Sequence, residues 1–220
     1  MTEPGTVSFG PFHMYRVREP RARRLRQLLM GLPLFGIALG LAVEANLGVN
    51  PWTVFHGGVA NHTPLTIGTA TIVVGAVLVL SFPLLREPFG LGTLFNVAII
   101  GLVTDATIAV VPDLTSMWTR VPALAVAPAL IGLGSGLYIG AGLGPGPRDG
   151  LMTALERRGL PIWAARTMIE LTALSVGWIL GGNVGLGTVW IAISLGFFVD
   201  FFLRRLRIQH AETLQPRTAR

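Results

Sequence analysis

The chain contains no cysteine among its 220 residues. Disulfides, thiolate nucleophiles, iron–sulfur clusters and cysteine-type zinc sites are thereby excluded. Lysine is absent too, all 17 basic residues being arginine. Charge itself is scarce, at 13% of residues, where a soluble domain carries about a quarter. Of the four histidines, His56 and His62 stand six apart, off the i, i+4 spacing of a helical metal pair, and no HExxH motif occurs. No metal and no cofactor is therefore expected. The glycine-rich stretch 140–150 is followed by no GK[ST], which argues against a nucleotide loop. Ser135 sits in GLGSGLY as an intramembrane nucleophile would, but no histidine lies within any other apolar run to activate it. The chain is not expected to be an enzyme.

What is present is grease. Hydrophobic residues make up 51% of the sequence and the mean hydropathy is +0.63. Apolar runs close to bilayer length recur, which gives an all-α integral membrane class. The net charge of +6 and pI of 11.3 do not indicate nucleic acid, because the arginines cluster at the ends of apolar runs. Crossings are expected at about 29–47, 66–84, 91–111, 122–143, 161–180 and 185–206, each near the ~20 residues a bilayer requires. Residues 51–62 and 147–158 also read as helical, but at roughly 18 Å each they are too short to cross. With six crossings, nearly all arginines fall on one side and Arg120 alone among the loops falls on the other. The positive-inside rule then puts both termini in the cytoplasm. Residues 1–28 read as a cytoplasmic, arginine-rich arm and 208–220 as a polar tail.

The two halves repeat. GIALGLAVEANLGVNPWTVFHGGV (36–59) aligns with GLGSGLYIGAGLGPGPRDGLMTAL (132–155) at an offset of 96. GLGTLFNVAIIGLVTD (90–105) aligns with GLGTVWIAISLGFFVD (185–200), pairing Asp105 with Asp200. The organisation is a three-span repeat over 29–111, an external linker over 112–121, and a second three-span repeat over 122–207. Three is odd, so the second unit enters the membrane inverted relative to the first, as in many secondary transporters.

Each unit breaks after its first span, at Gly48 and Pro51 in one and at Gly144, Gly146 and Pro147 in the other. Glycine permits the sharp turn, and proline fits the first turn of the short helix that follows. The free amides of such a helix start favour an anion. Paired Gly/Pro breaks in corresponding positions of two halves point to a transporter's binding site; tight turns without a ligand are the simpler reading. Arg148 at the second break suits a carboxylate or phosphate, and equally a structural pair with Asp149. Arg166 and Glu170 lie four apart on one helical face, either as a pair or as part of one polar lining with Arg148 and Asp149. Glu44, Asn46 and Asn50 surround the first break, with Trp52 beside Pro51. Trp52, Trp118, Trp163, Trp178 and Trp190 suit an aromatic belt. The first break carries Trp52 and Thr53 where the second has Arg148 and Asp149, so recognition by charge would be one-sided.

LGVNPWTVFHGG, GLGTLFNVAIIGLVTD, GLGPGPRDGLM, the Arg166–Glu170 spacing and GWILGGNVGLGT together resemble the YczE-type bacterial membrane proteins, which are distantly similar to the YitT group. The resemblance covers roughly residues 30–206 and implies a six-span bacterial inner-membrane protein. The function expected from the residues is a transporter or permease for a small polar or anionic metabolite, held between the repeats. A non-transporting scaffold, assembly factor or regulator is the alternative. The expected partners are the lipid bilayer and a small-molecule substrate, without nucleic acid; a homo-oligomer is compatible with the sequence.

Overall fold

The computed structural model describes residues 6–9, 12–15 and 20–208. The tail expected over 208–220 lies, apart from Ile208, outside the described residues. After a short hairpin, β1 (Thr6–Phe9) and β2 (Phe12–Tyr15), the chain is helical: α1 (Arg21–Ala45), α2 (Pro51–Asn61), α3 (Ile67–Leu80), α4 (Phe82–Leu85), α5 (Leu91–Val110), α6 (Met117–Gly140), α7 (Pro147–Glu156), α8 (Ile162–Ile179) and α9 (Leu186–Leu206). The all-α expectation is thus amended at the N-terminal arm. The hairpin docks on the loop before α5, where the Tyr15 amide donates to the Phe89 carbonyl at 2.9 Å. Nor is the arm separate from the first span, because α1 begins at Arg21 and carries the arginines on its first turns.

Among the described residues four helices, α1, α5, α6 and α9, are long and apolar enough to cross a bilayer. Two of the expected crossings fall short of that measure. α3 has 14 residues, about 21 Å at 1.5 Å per residue. α8 has 18 residues, but Arg166 and Glu170 lower its hydropathy.

The core is an antiparallel α1–α6 pair flanked by α5 and α9. The sense of the pair is fixed by its contacts. A β-carbon at Gly31, early in α1, would meet Leu137, late in α6, at 2.7 Å, and one at Gly134 would lie 2.9 Å from the Phe35 amide. Small residues permit this approach, as in membrane helix pairs generally. The flanks repeat one design. Gly36 and Gly40 of α1 receive Val103 and Thr107 of α5, while Gly132 and Gly136 of α6 receive Phe198 and Phe202 of α9.

Arginines lock both ends of the central pair. Arg24, fully buried, donates from Nη1 to the Ala141 carbonyl at 2.7 Å. Arg120 donates from Nε to the Ala45 carbonyl at 2.6 Å and from Nη2 to Asn46 O. Both satisfy carbonyls that a helix end leaves without partners and oppose the negative end of its dipole. Residues 24 and 120, like 45 and 141, are related by the same offset of 96.

The second flanks differ. In the first half α3 lies tightly on α5: a β-carbon at Gly101 would sit 2.4 Å from the Gly68 carbonyl oxygen and 2.6 Å from Ile72 Cγ1. Asp105 holds the start of α3, accepting from the Gly68 amide at 2.8 Å and from Thr66 Oγ1. In the second half α8 packs on α2 and α7 instead of on α9. A β-carbon at Gly196, the counterpart of Gly101, would meet nothing within 4 Å. Asp200, the counterpart of Asp105, pairs at 2.8 Å with Arg204 of its own helix.

Candidate functional site

Both breaks are built from left-handed backbone. α1 ends at Asn46 (φ 47°) and Gly48 (φ 102°), and α6 runs out through Gly142 (φ 64°) and Gly144 (φ 118°). Each break is anchored on the opposite half. The Gly92 amide donates to the Leu143 carbonyl and the Gly187 amide to the Leu47 carbonyl, both at 2.8 Å. Glycine is required at Gly48 and Gly144 for space as well as for φ. A β-carbon there would fall 2.5 Å from the Gly185 amide or 2.7 Å from Thr93 Oγ1, respectively.

The short helices begin immediately after, with proline first in each. Their openings are not equivalent. At α2 the Asn50 side chain accepts from the Thr53 amide at 3.1 Å, so that start is occupied by its own cap. At α7 the capping position is Gly146, which has no side chain to offer, and the first turn carries no side-chain cap. The first turn of α7 bears Arg148 together with Asp149, whose carboxylate lies against Gly146 and opposes the positive charge of the helix start.

Between the two breaks lies a cavity of about 70 Å³, lined by α1, α2, α3, α5 and α7. Asn50, Trp52, Thr53 and His56 face it from the first break, and Gly146, Pro147 and Arg148 from the second. Phe35, Thr71, Val74, Leu78, Asn96 and Val97 supply much of the remaining wall. At roughly 10–15 Å³ of accessible space per water, such a volume suits a small polyatomic head group.

Several polar groups in this wall lack protein partners among the described residues. The Arg148 guanidinium lies 5.5 Å above the Phe35 ring, and its Nε is 3.8 Å from Asp149 Oδ1. That separation is an ion pair but too long for a hydrogen bond. Asp149 Oδ2 accepts from the Tyr138 hydroxyl at 2.7 Å and lies against Gly146 at the start of α7. Trp52 Nε1 is buried with no acceptor. The Asn96 amide makes no hydrogen bond and lies beside Gly146. His56, only 7% exposed, bonds through Nδ1 to Thr71 Oγ1 at 2.9 Å. Thr71 Oγ1 also lies 2.9 Å from the Ile67 carbonyl. The wall thus presents a guanidinium, an indole N–H and an amide beside an imidazole. Unmet buried polar atoms of this kind cost free energy unless something else satisfies them.

The other sequence-selected residues lie elsewhere. Arg166 Nε donates to Glu170 Oε1 at 3.0 Å, and both side chains are partly exposed, at 46% and 32%. They form their own pair and do not line the cavity. Asn46 accepts from Asn183 Nδ2 at 2.6 Å and ties the first break to the loop before α9. Glu44, late in α1, also stands outside the cavity wall. Trp118, Trp163, Trp178 and Trp190 are 90%, 69%, 68% and 44% exposed, whereas Trp52 turns inward. His56 was weighed by sequence only with His62 as a metal pair, and Asn96, Thr71 and Tyr138 were not singled out. The signal for the first two is a polar residue whose repeat counterpart is apolar: Met152 answers His56, and Ile191 answers Asn96.

A family model described as a family of unknown function, DUF6198, matches residues 22–204. An uncharacterized protein of Haemophilus influenzae is 38% identical over 185 residues, covering 83% of this chain and 85% of the relative. The uncharacterized membrane protein YczE of Bacillus subtilis is 35% identical over 176 residues, covering 79% and 82%. The uncharacterized protein YyaS of the same organism is 24% identical over 182 residues, covering 79% and 89%. No solved structure matches the chain.

Proposed function

The chain belongs to the DUF6198 family, a membrane protein similar to YczE, and from that premise we propose that it carries a small anionic metabolite across the bacterial inner membrane. The ligand sits in the cavity between the two breaks. Its negative charge meets Arg148, and its remaining polar atoms meet Asn96, Trp52 Nε1 and the His56 ring. One observation carries this reading: a guanidinium without a hydrogen-bond acceptor among the described residues shares a cavity with the buried, unpartnered indole N–H of Trp52.

The frame for transport is a pair of inverted three-span repeats, with α3 and α8 as the second and fifth crossings and both termini cytoplasmic. The antiparallel α1–α6 pair and the reciprocal arginine caps support inversion, because equivalent helices run in opposite senses. The unequal flanks support alternating access. One repeat is clasped at Gly101 and Asp105, while the other is open at Gly196 and Asp200.

The test is a thermal-shift titration of the purified protein with carboxylates and inorganic phosphate, alongside Arg148→Ala. A ligand at 100 times its Kd adds about 2.7 kcal/mol of stability. Stabilisation of the native protein and not of Arg148→Ala supports the site, and counterflow of the same anion in proteoliposomes then tests transport. If no anion stabilises the native protein, the reading fails and the scaffold alternative takes its place.

A further inference from the structure

The polar cavity does not end at its polar wall. Trp52, Val74 and Leu78 also border a second space of about 580 Å³, which lies between α3, α7 and α8. Its lining is apolar except for Thr172. It exists because α8 packs on α2 and α7 and leaves the flank of α3 uncovered. On its two sides Val77 of α3 and Val176 of α8 are 61% and 40% exposed, so the groove opens toward the hydrocarbon of the bilayer. One layer of side chains, Trp52, Val74 and Leu78, therefore separates a ligand head at Arg148 from a greasy trough.

Resting on the anion reading of the cavity, we propose that the substrate is a single-chain anionic amphiphile: a carboxylate or phosphate head at Arg148 with an alkyl tail in the α3–α8 groove. The charge complementarity of the head site and the shared wall of the two spaces carry this assignment. A wholly hydrophilic ion would use the first space and leave the second to lipid. The inward turn of Trp52 fits the junction, since an indole presents an apolar face to a tail and an N–H to a head.

The experiment is a chain-length series. Acetate, butyrate, hexanoate and octanoate are titrated against the protein in nanodiscs of zwitterionic lipid, with free aqueous ligand measured directly. Each methylene removed from water is worth about 0.8 kcal/mol, so Kd should fall by up to about fourfold per added carbon. Val77→Trp, placed on the exposed wall of the groove, should flatten the series without weakening acetate. Arg148→Ala should abolish binding of every member. Single-chain lysophosphatidic acid doped into the nanodisc separates two sources: displacement of octanoate marks a ligand drawn from the bilayer, and its absence marks one taken from water. Equal affinity for acetate and octanoate, or an unchanged slope in Val77→Trp, overturns the amphiphile and leaves the anion site intact. Failure of all four carboxylates, and of octyl phosphate, overturns both.

Discussion

Gly101 and Gly196 occupy equivalent positions in the two halves, yet their surroundings are opposite, and a matched pair of alanine variants reads that difference directly. At Gly101 the new methyl would stand 2.4 Å from a backbone carbonyl oxygen and 2.6 Å from Ile72 Cγ1, where ordinary contact begins near 3.4 Å. Backbone cannot rotate away as a side chain can, so α3 must shift by about an ångström. Overpacking of this kind costs about 1–3 kcal/mol. At Gly196 nothing lies within 4 Å, and alanine meets no obstacle. Both variants gain helix propensity, up to about 1 kcal/mol each, and that term cancels in the comparison. Gly101→Ala should therefore melt below Gly196→Ala by the steric term alone. A difference of 2 kcal/mol corresponds to about 4–8 °C for a chain of this size. The assay is thermal unfolding of both variants in one detergent. Equal melting temperatures would refute the unequal packing of α3 on α5 and of α8 on α9.

Three further outcomes follow from the same geometry. Arg120→Leu leaves the Ala45 and Asn46 carbonyls without their cap, and the melting temperature should fall by the equivalent of about 1–2 kcal/mol. Asp105→Ala removes the acceptor of the Gly68 amide and the Thr66 hydroxyl at the start of α3 and should destabilise by about 1 kcal/mol, whereas Asp200→Ala should leave the melting curve unchanged because its ion pair is exposed. Arg166→Ala should leave anion binding, measured by the same titration, at the native value, because its partner is Glu170 and not the cavity.

The sequence carries the helical architecture well because it rests on local rules. Pro51 and Pro147 mark the starts of α2 and α7, and the paired glycines mark the interlocked breaks. The length of α3 was less legible: its apolar run continues to residue 85, but Ser81 ends the helix and α4 begins a separate turn. The offset of 96 was visible in glycines and prolines, and it also relates Arg24 to Arg120. Those two look like ordinary flanking charges until the antiparallel pair brings each to the other's helix end. That geometry also accounts for Arg120 as the exception in the charge count. Helical spacing placed Arg166 and Glu170 on a shared face, but spacing does not say which neighbour a face meets. The same limit hid His56 and Asn96, whose roles depend on helices that are distant in sequence.

The reciprocal caps also bear on how the molecule can be assembled as it is made. Arg24 finds its acceptor 117 residues downstream, whereas Arg120 finds its own 75 residues upstream. The first half therefore leaves the ribosome with a helix end and a broken corner awaiting groups not yet synthesised. The helix end is met when Arg120 arrives with α6, and the corner only when Asn183 and Gly187 follow. The halves are complementary parts of one closure, each supplying the terminus the other lacks. Neither half of this chain is complete on its own.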